Sequence, residues 1–186
     1  MSSKEKRILK IVFLGDCNVG KSSIISTCVS DENGSMLDAW KDDQSRFILY
    51  PVLLRSETSL STYDTILVDT YGGETKKDAL KATISSAQSI ILVYDLTDPN
   101  SFQRLMENWL PLINEFNETC PIIIVGNKQD LAKQDEDLYD RTKIKKIIVP
   151  ILREFPQVEL GIECSAREGK NIVEALYCAQ CVYLFP

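Results

Sequence analysis

A chain of 186 residues fits one domain with a substantial core, and 26% charged with 44% apolar residues is ordinary globular composition. Twenty-seven acidic against 21 basic residues leave a net charge of −6, so no polybasic surface invites nucleic acid or anionic lipid. No apolar run approaches the roughly 20 residues that cross a bilayer. Met1-Ser2-Ser3 lacks the glycine of a myristoylation signal, and Cys181 stands too far from the end for prenylation. No direct membrane contact by these residues is expected.

Ile8 to Leu14 reads as a first buried strand, and Lys21 to Val29 as a helix with Ile24, Ile25 and Cys28 on one face. Between them Gly15-Asp16-Cys17-Asn18-Val19-Gly20-Lys21-Ser22 matches G-x-x-x-x-G-K-[ST], set between strand and helix as its mechanism requires. Gly15 and Gly20 let the backbone curl, so that N–H groups from Asn18, Val19, Gly20, Lys21, Ser22 and Ser23 can face one polyphosphate at a helix N-terminus. Lys21 is placed to bridge the β- and γ-phosphates and the Ser22 hydroxyl to coordinate Mg²⁺. A glycine-rich turn with a chance Lys-Ser is the plain alternative, and the flanking strand and helix weigh against it.

Residues 30 to 45 are polar, acidic and aperiodic and read as a loop; a long loop in a compact domain is usually functional. Arg46 to Arg55 and Thr65 to Asp69 read as a hairpin of strands joined by polar residues 56 to 64. Lys76 to Ser86 reads as a helix and Ser89 to Asp95 as a continuously apolar strand. Phe102, Leu105, Met106, Trp109, Leu112, Ile113 and Phe116 mark an amphipathic helix with a kink at Pro111. Pro121 to Gly126 is another buried strand, 133 to 140 an acidic loop, and Arg141 to Phe155 a helix interrupted or bent by Pro150. Val158 to Cys164 is the last strand and Gly169 to Leu184 the closing helix.

The cysteines at 17, 28, 120, 164, 178 and 181 lie mostly in apolar segments and read as reduced thiols of an intracellular protein. Cys178-x-x-Cys181 has redox or metal spacing, but it falls in a helix pattern of a chain without histidine, so both are expected as core thiols. Six strands alternating with helices, save one hairpin, predict an α/β fold. Its sheet would be six-stranded and mostly parallel, with helices on both faces and the ligand at the strands' carboxyl ends.

Four motifs follow predicted strands in order: Gly15 to Ser22, Asp69-Thr70-Tyr71-Gly72, Asn127-Lys128-Gln129-Asp130, and Ser165-Ala166-Arg167. In that order and placement the chain resembles the Ras superfamily of small GTPases, a P-loop NTPase fold, from Ile8 to about Leu184. The resemblance implies that Asp130 accepts two hydrogen bonds from the guanine edge, a pair adenine cannot offer. Asn127 supports the base site, the Lys128 stem lies along the purine, the Ala166 N–H meets the guanine carbonyl, and Ser165 holds that loop, with Arg167 beside it. Asp69 reaches Mg²⁺, usually through water. The Gly72 N–H touches the γ-phosphate and, with Lys21, belongs to the catalytic set, so hydrolysis of GTP to GDP would release the segment after it.

Three positions depart from that pattern. No threonine stands between Val29 and Glu57 to bind Mg²⁺ from the first switch, which leaves Ser45 as the substitute ligand. The water-orienting glutamine is replaced by Gly73, with Glu74 the candidate replacement. Cys17 and Asn18 occupy places often held by glycine, where a side chain obstructs a partner's arginine. Together they predict a slow GTP hydrolase. A domain that holds GTP or GDP as a binding module is the alternative.

Within the superfamily, Asn108-Trp109-Leu110-Pro111-Leu112-Ile113-Asn114-Glu115, Ile148-Val149-Pro150-Ile151-Leu152 and Glu163-Cys164-Ser165-Ala166 resemble the N-terminal GTPase domain of the mitochondrial Rho (Miro) family. So does Tyr177-Cys178-Ala179-Gln180. That resemblance implies that residues 1–186 are one domain of a longer protein ending at a domain boundary, with the membrane anchor elsewhere. It also implies a cytosol-facing place on the mitochondrial outer membrane, a role in organelle transport and morphology, and exchange-factor, activator and effector partners. Asp69-Thr70-Tyr71-Gly72-Gly73 is closer to ordinary small GTPases, which keeps a divergent Rho- or Rab-like switch as the other reading.

Overall fold

The computed structural model describes residues 6–29, 40–41, 48–57, 62–70, 77–134 and 141–185. Among the described residues seven strands form one sheet: β1 (Lys6–Leu14), β2 (Trp40–Lys41), β3 (Ile48–Glu57), β4 (Thr62–Asp69), β5 (Ser89–Asp95), β6 (Ile122–Asn127) and β7 (Val158–Glu163). Their order is β2-β3-β4-β1-β5-β6-β7, with β2–β3 and β3–β4 antiparallel and the remaining pairs parallel. The helices are α1 (Lys21–Val29), α2 (Lys77–Ser85), α3 (Pro99–Arg104), α4 (Leu110–Phe116), α5 (Gln129–Ala132), α6 (Arg141–Glu154) and α7 (Ile172–Leu184).

Alternation along the central strands explains the two cores. Leu9, Ile11 and Phe13 of β1 pack with Ile91, Val93, Ile123 and Val125 against Ile24 and Ile25 of α1 and Ala175, Leu176 and Ala179 of α7. Val12 and Leu14 face the other way, with Ile90, Leu92, Ile122 and Ile124, against Ile84 of α2, Leu110 and Ile113 of α4 and Ile151 of α6. A sheet covered on both faces buries every residue of β5 and β6, so those strands read as unbroken apolar runs.

Several sequence expectations need correction. The sheet has seven strands rather than six, because Trp40–Lys41 pairs with Ile48 and Leu49 inside the stretch read as loop. A two-residue edge pair is held by backbone bonds and carries no periodicity to read. The hairpin is also longer than expected: Ser56 and Glu57 pair with Tyr63 and Thr62, polar residues that a ladder accepts at its far end. Pro111 does not kink a continuous helix. It sits in the first turn of α4, and the turn before it, Leu105–Trp109, is a π-turn closed by Leu110 N–H donating to Leu105 C=O. Proline has no N–H and its ring crowds the carbonyl four residues back, which one widened turn relieves. Pro150 lies within an unbroken α6. Cys178 and Cys181 are half-buried rather than fully buried, Cys178 packing against the core, and none of the six cysteines is in a disulfide.

Ile91 is fully buried at the centre of the sheet. Trimming it to Val should cost about 0.5–1.5 kcal/mol and to Ala about 2–5 kcal/mol, read from urea unfolding midpoints at constant slope. Equal costs for the two would mean that the site collapses around the cavity.

Candidate functional site

The parallel strands β1, β4, β5, β6 and β7 all end at one edge of the sheet, and the loops that leave them carry the sequence motifs. After β1 the backbone turns at Gly15 (φ +134°), Asn18 (φ +61°) and Gly20 (φ +98°). A Cβ on Gly15 would lie 2.2 Å from the Val93 carbonyl oxygen, and one on Gly20 would lie 2.2 Å from Asn127 Nδ2. Glycine is therefore required twice for space as well as for φ. Asn18 takes a left-handed conformation that glycine commonly fills; asparagine is among the side chains that tolerate it best.

The first α1 backbone bond runs from Ile24 N–H to Gly20 C=O, so the N–H groups of Lys21, Ser22 and Ser23 have no intrahelical acceptor. Lys21 Nζ donates to the Gly15 carbonyl at 2.8 Å and the Asp16 carbonyl at 2.6 Å. Burial lowers the Lys21 pKa, against the opposing pull of Asp69, Cys17 and Asp16. A bound polyanion would stabilise the same ammonium. Ser22 Oγ donates to Asp69 Oδ2 at 2.5 Å, while Asp69 Oδ1 is buried without a hydrogen-bond partner. Burial raises the Asp69 carboxyl, and the Ser22 hydrogen bond and Lys21 charge act in the opposite direction.

Asn127, at the end of β6, joins the loops. Its Nδ2 donates to the Val19 carbonyl at 3.0 Å, and its Oδ1 accepts from the Ala166 N–H at 3.0 Å and the Cys164 thiol at 3.4 Å. Lys128 is left-handed (φ +65°), and its Nζ donates to Asp95 Oδ2 at 2.6 Å. Burial would raise the Asp95 carboxyl, yet Lys128 and the Thr97 hydroxyl and N–H together hold it below the usual carboxylate range. Buried Ser165 donates to Asp130 Oδ1 at 2.7 Å and accepts from the Glu168 N–H at 3.1 Å. Thr27 of α1 donates to the Ala166 carbonyl at 2.9 Å.

Several of these residues line a cleft of about 310 Å³. Asn18, Gly20 and Ser23 line it from the phosphate loop, and Asn127, Lys128, Asp130, Ala166 and Arg167 from the other loops. Ser165 does not line the cleft but holds the lining residue Asp130, and Lys21, Ser22 and Asp69 form a group at the start of α1. Ser45, Gly72, Gly73 and Glu74 lie outside the described residues. Sequence reading passed over Asp95, Thr27 and the cleft residue Leu131. Only their fixed distance from recognised motifs could have pointed to them. The Ala166 N–H, expected to meet a base carbonyl, donates to Asn127 here.

A family model described as "Ras family" matches residues 10–181. The chain belongs to the Ras family. Among curated proteins it is 35% identical over 182 residues to Mitochondrial Rho GTPase 1 of Cryptococcus neoformans var. neoformans serotype D, covering 96% of this chain and 24% of the relative. The namesake in Mycosarcoma maydis is 32% identical over 181 residues (97% of this chain, 23% of the relative). That of Caenorhabditis briggsae is 34% identical over 185 residues (96% and 28%). The chain thus spans about a quarter of the length of the curated relatives it matches.

The chain is a Ras-like small GTPase domain related to mitochondrial Rho GTPases, and the expected P-loop α/β fold is borne out. Family membership implies GTP hydrolase activity, GTP and GDP as ligands, typically with Mg²⁺, and regulator and effector proteins as partners. The residues present fit the metal. A buried carboxylate oxygen without a partner beside a serine hydroxyl offers hard oxygens, and Mg²⁺ takes few protein ligands when phosphates supply the rest.

Burial pushes the Cys120 and Cys164 thiols up from 9.0 to about 12, while Cys17 is exposed. The folded chain therefore holds those two protons more tightly, and the stability this gives is complete below pH 9.0 and lost as pH climbs toward 12. With iodoacetamide at about pH 8.5, Cys17 should alkylate in the native chain and Cys120 and Cys164 only after urea unfolding, as read by peptide mass spectrometry. Native labelling of Cys164 at the Cys17 rate would contradict this environment.

Proposed function

We propose that this domain is a guanine-nucleotide switch that hydrolyses GTP slowly. The observation that carries the reading is Asn127. One side chain ties the phosphate loop at Val19 to the Ala166 loop, so that the phosphate cradle and the base cleft form one site. In this reading Asn18, Val19, Gly20, Lys21, Ser22 and Ser23 hold the phosphates, and Asp130 accepts from the guanine edge over the Lys128 stem. Asn127, Ser165, Ala166 and Arg167 complete the base site. The Asp95 ion pair keeps Lys128 extended as the floor beneath the purine.

Ser22 and Asp69 would hold Mg²⁺, the hydroxyl directly and the carboxylate through water, with Ser45 the candidate third ligand. The metal would neutralise charge developing on the transferring phosphoryl group, and Lys21 and the Gly72 N–H would hold its oxygens. Gly73 has no side chain to orient the attacking water, which supports a low intrinsic rate. The same absence favours the second reading, a domain that retains its nucleotide as a binding module.

The relatives' names support a mitochondrial setting, and we propose that the chain is one domain of a longer protein facing the cytosol at the outer membrane, acting in organelle transport and morphology. No helix among the described residues is long and apolar enough to cross a membrane, so an anchor would lie elsewhere in that protein.

A single-turnover experiment tests the hydrolytic part. The domain is loaded with GTP and Mg²⁺, and bound GTP and GDP are followed over hours beside a Lys21→Ala control. Conversion faster than GTP hydrolyses in buffer, and lost in the control, supports the slow hydrolase. Retained GTP without conversion would establish the binding module instead.

A further inference from the structure

Asp16 occupies an unspecified position of the phosphate-loop motif, yet its carboxylate is held from another element. Trp109 Nε1 donates to Asp16 Oδ1 at 2.9 Å, and Arg104 Nε donates to Asp16 Oδ2. Arg104 Nη2 also reaches Asp98 Oδ2 at 3.2 Å, next to the start of α3. The backbone carbonyl of the same Asp16 accepts from Lys21 Nζ. One residue therefore links the lysine of the phosphate loop to the end of α3. Its side chain is 18% exposed and that of Arg104 43%, so the pair is partly shielded from water.

The π-turn makes this arrangement possible. Arg104 and Trp109 are five residues apart, which in a regular α-helix sets them roughly 140° apart around the axis. An i→i+5 turn brings residues at that separation toward one face. The turn runs from Leu105 to Trp109 and is closed by the Leu110 N–H to Leu105 carbonyl bond, so it lies between the two donors that share the carboxylate. The widening that Pro111 favours thus aims an indole N–H and a guanidinium at the phosphate loop.

We propose that Asp16 is a positioning residue for nucleotide retention: its carboxylate, gripped by Arg104 and Trp109, pins the phosphate loop to the π-turn and slows nucleotide release. This rests on the reading of the cleft as a guanine-nucleotide site. Asn127 fixes the far side of the loop at Val19, and Asp16 fixes the near side. A loop pinned at both sides keeps its N–H groups aimed before the phosphates arrive, and must loosen at one side to let them go.

The test is dissociation of a fluorescent GDP analogue, chased with excess GDP in Mg²⁺. Asp16→Ala and Trp109→Phe should each speed release by at least about fivefold. The double variant should be no faster than Asp16→Ala alone, because the indole then has no carboxylate to grip. Unchanged rates in chains that load normally, or effects that multiply in the double variant as for independent packing, would overturn the proposal. A parent chain that retains no guanine nucleotide would overturn the functional reading and this proposal with it.

Should Asp16→Ala fail to fold, Trp109→Phe decides alone, since it keeps an aromatic ring and removes the N–H that Asp16 accepts. Release at the parent rate from a variant that loads normally would overturn the tether.

Discussion

The side chain of Asn127 is the contact on which the rest of the site depends. It can lie between Val19 and Ala166 only because Gly20 has no Cβ, the space such an atom would fill being taken by Asn127 Nδ2. Three segments far apart in sequence therefore constrain one another: a glycine of the phosphate loop, an asparagine ending β6 and the loop after β7. Both ends of this buried amide have partners, its nitrogen donating once and its oxygen accepting twice. Replacing Asn127 would leave a carbonyl and an N–H of two different loops unpaired, so in the proposed reading binding and stability share one set of bonds here.

The sheet supplies what that contact needs. Parallel strands bring β1, β4, β5, β6 and β7 to a common edge, and burial of β5 and β6 on both faces makes them firm supports for the loops they carry. At that edge charges are held at a cost in solvation. Lys21 and Asp69 are both buried, and burial moves each pKa toward the neutral form. A polyphosphate beside Lys21 and a divalent cation beside Asp69 would relieve both penalties together. This is a physical reason for expecting nucleotide and metal to bind as a pair.

Much of this was legible in the sequence because its signals are steric or periodic. Gly15, Gly20 and Lys21-Ser22 announce a phosphate loop, and the apolar runs of β1, β5 and β6 can only be covered strands. The resemblance to small GTPases, carried by the order of motifs after strands, made Asn127, Asp130 and Ser165 readable as one site. What stayed hidden depends on contacts between distant elements or on backbone bonding alone. The Asp16 carboxylate meets Trp109 across 93 positions, and Asp95 meets Lys128 across 33. The π-turn before Pro111 follows from a missing N–H, which sequence reading took for a simple kink. Edge strand β2 and the polar end of the β3–β4 ladder lack any side-chain pattern. The Cys178 and Cys181 expectation erred because α7 is apolar nearly all round, and apolar neighbours in sequence do not say which face meets the sheet.

The claim beneath everything else is that the cleft selects guanine through Asp130, and base exchange tests it most directly. Xanthine carries a carbonyl where guanine carries its amino group, so an amide at this position can donate where the carboxylate accepts. Binding of GDP and xanthosine diphosphate is compared by competition against a fluorescent guanine nucleotide, in the parent chain and in Asp130→Asn. The account predicts a preference for GDP in the parent that reverses in the variant. A variant that still prefers GDP as strongly as the parent would contradict it.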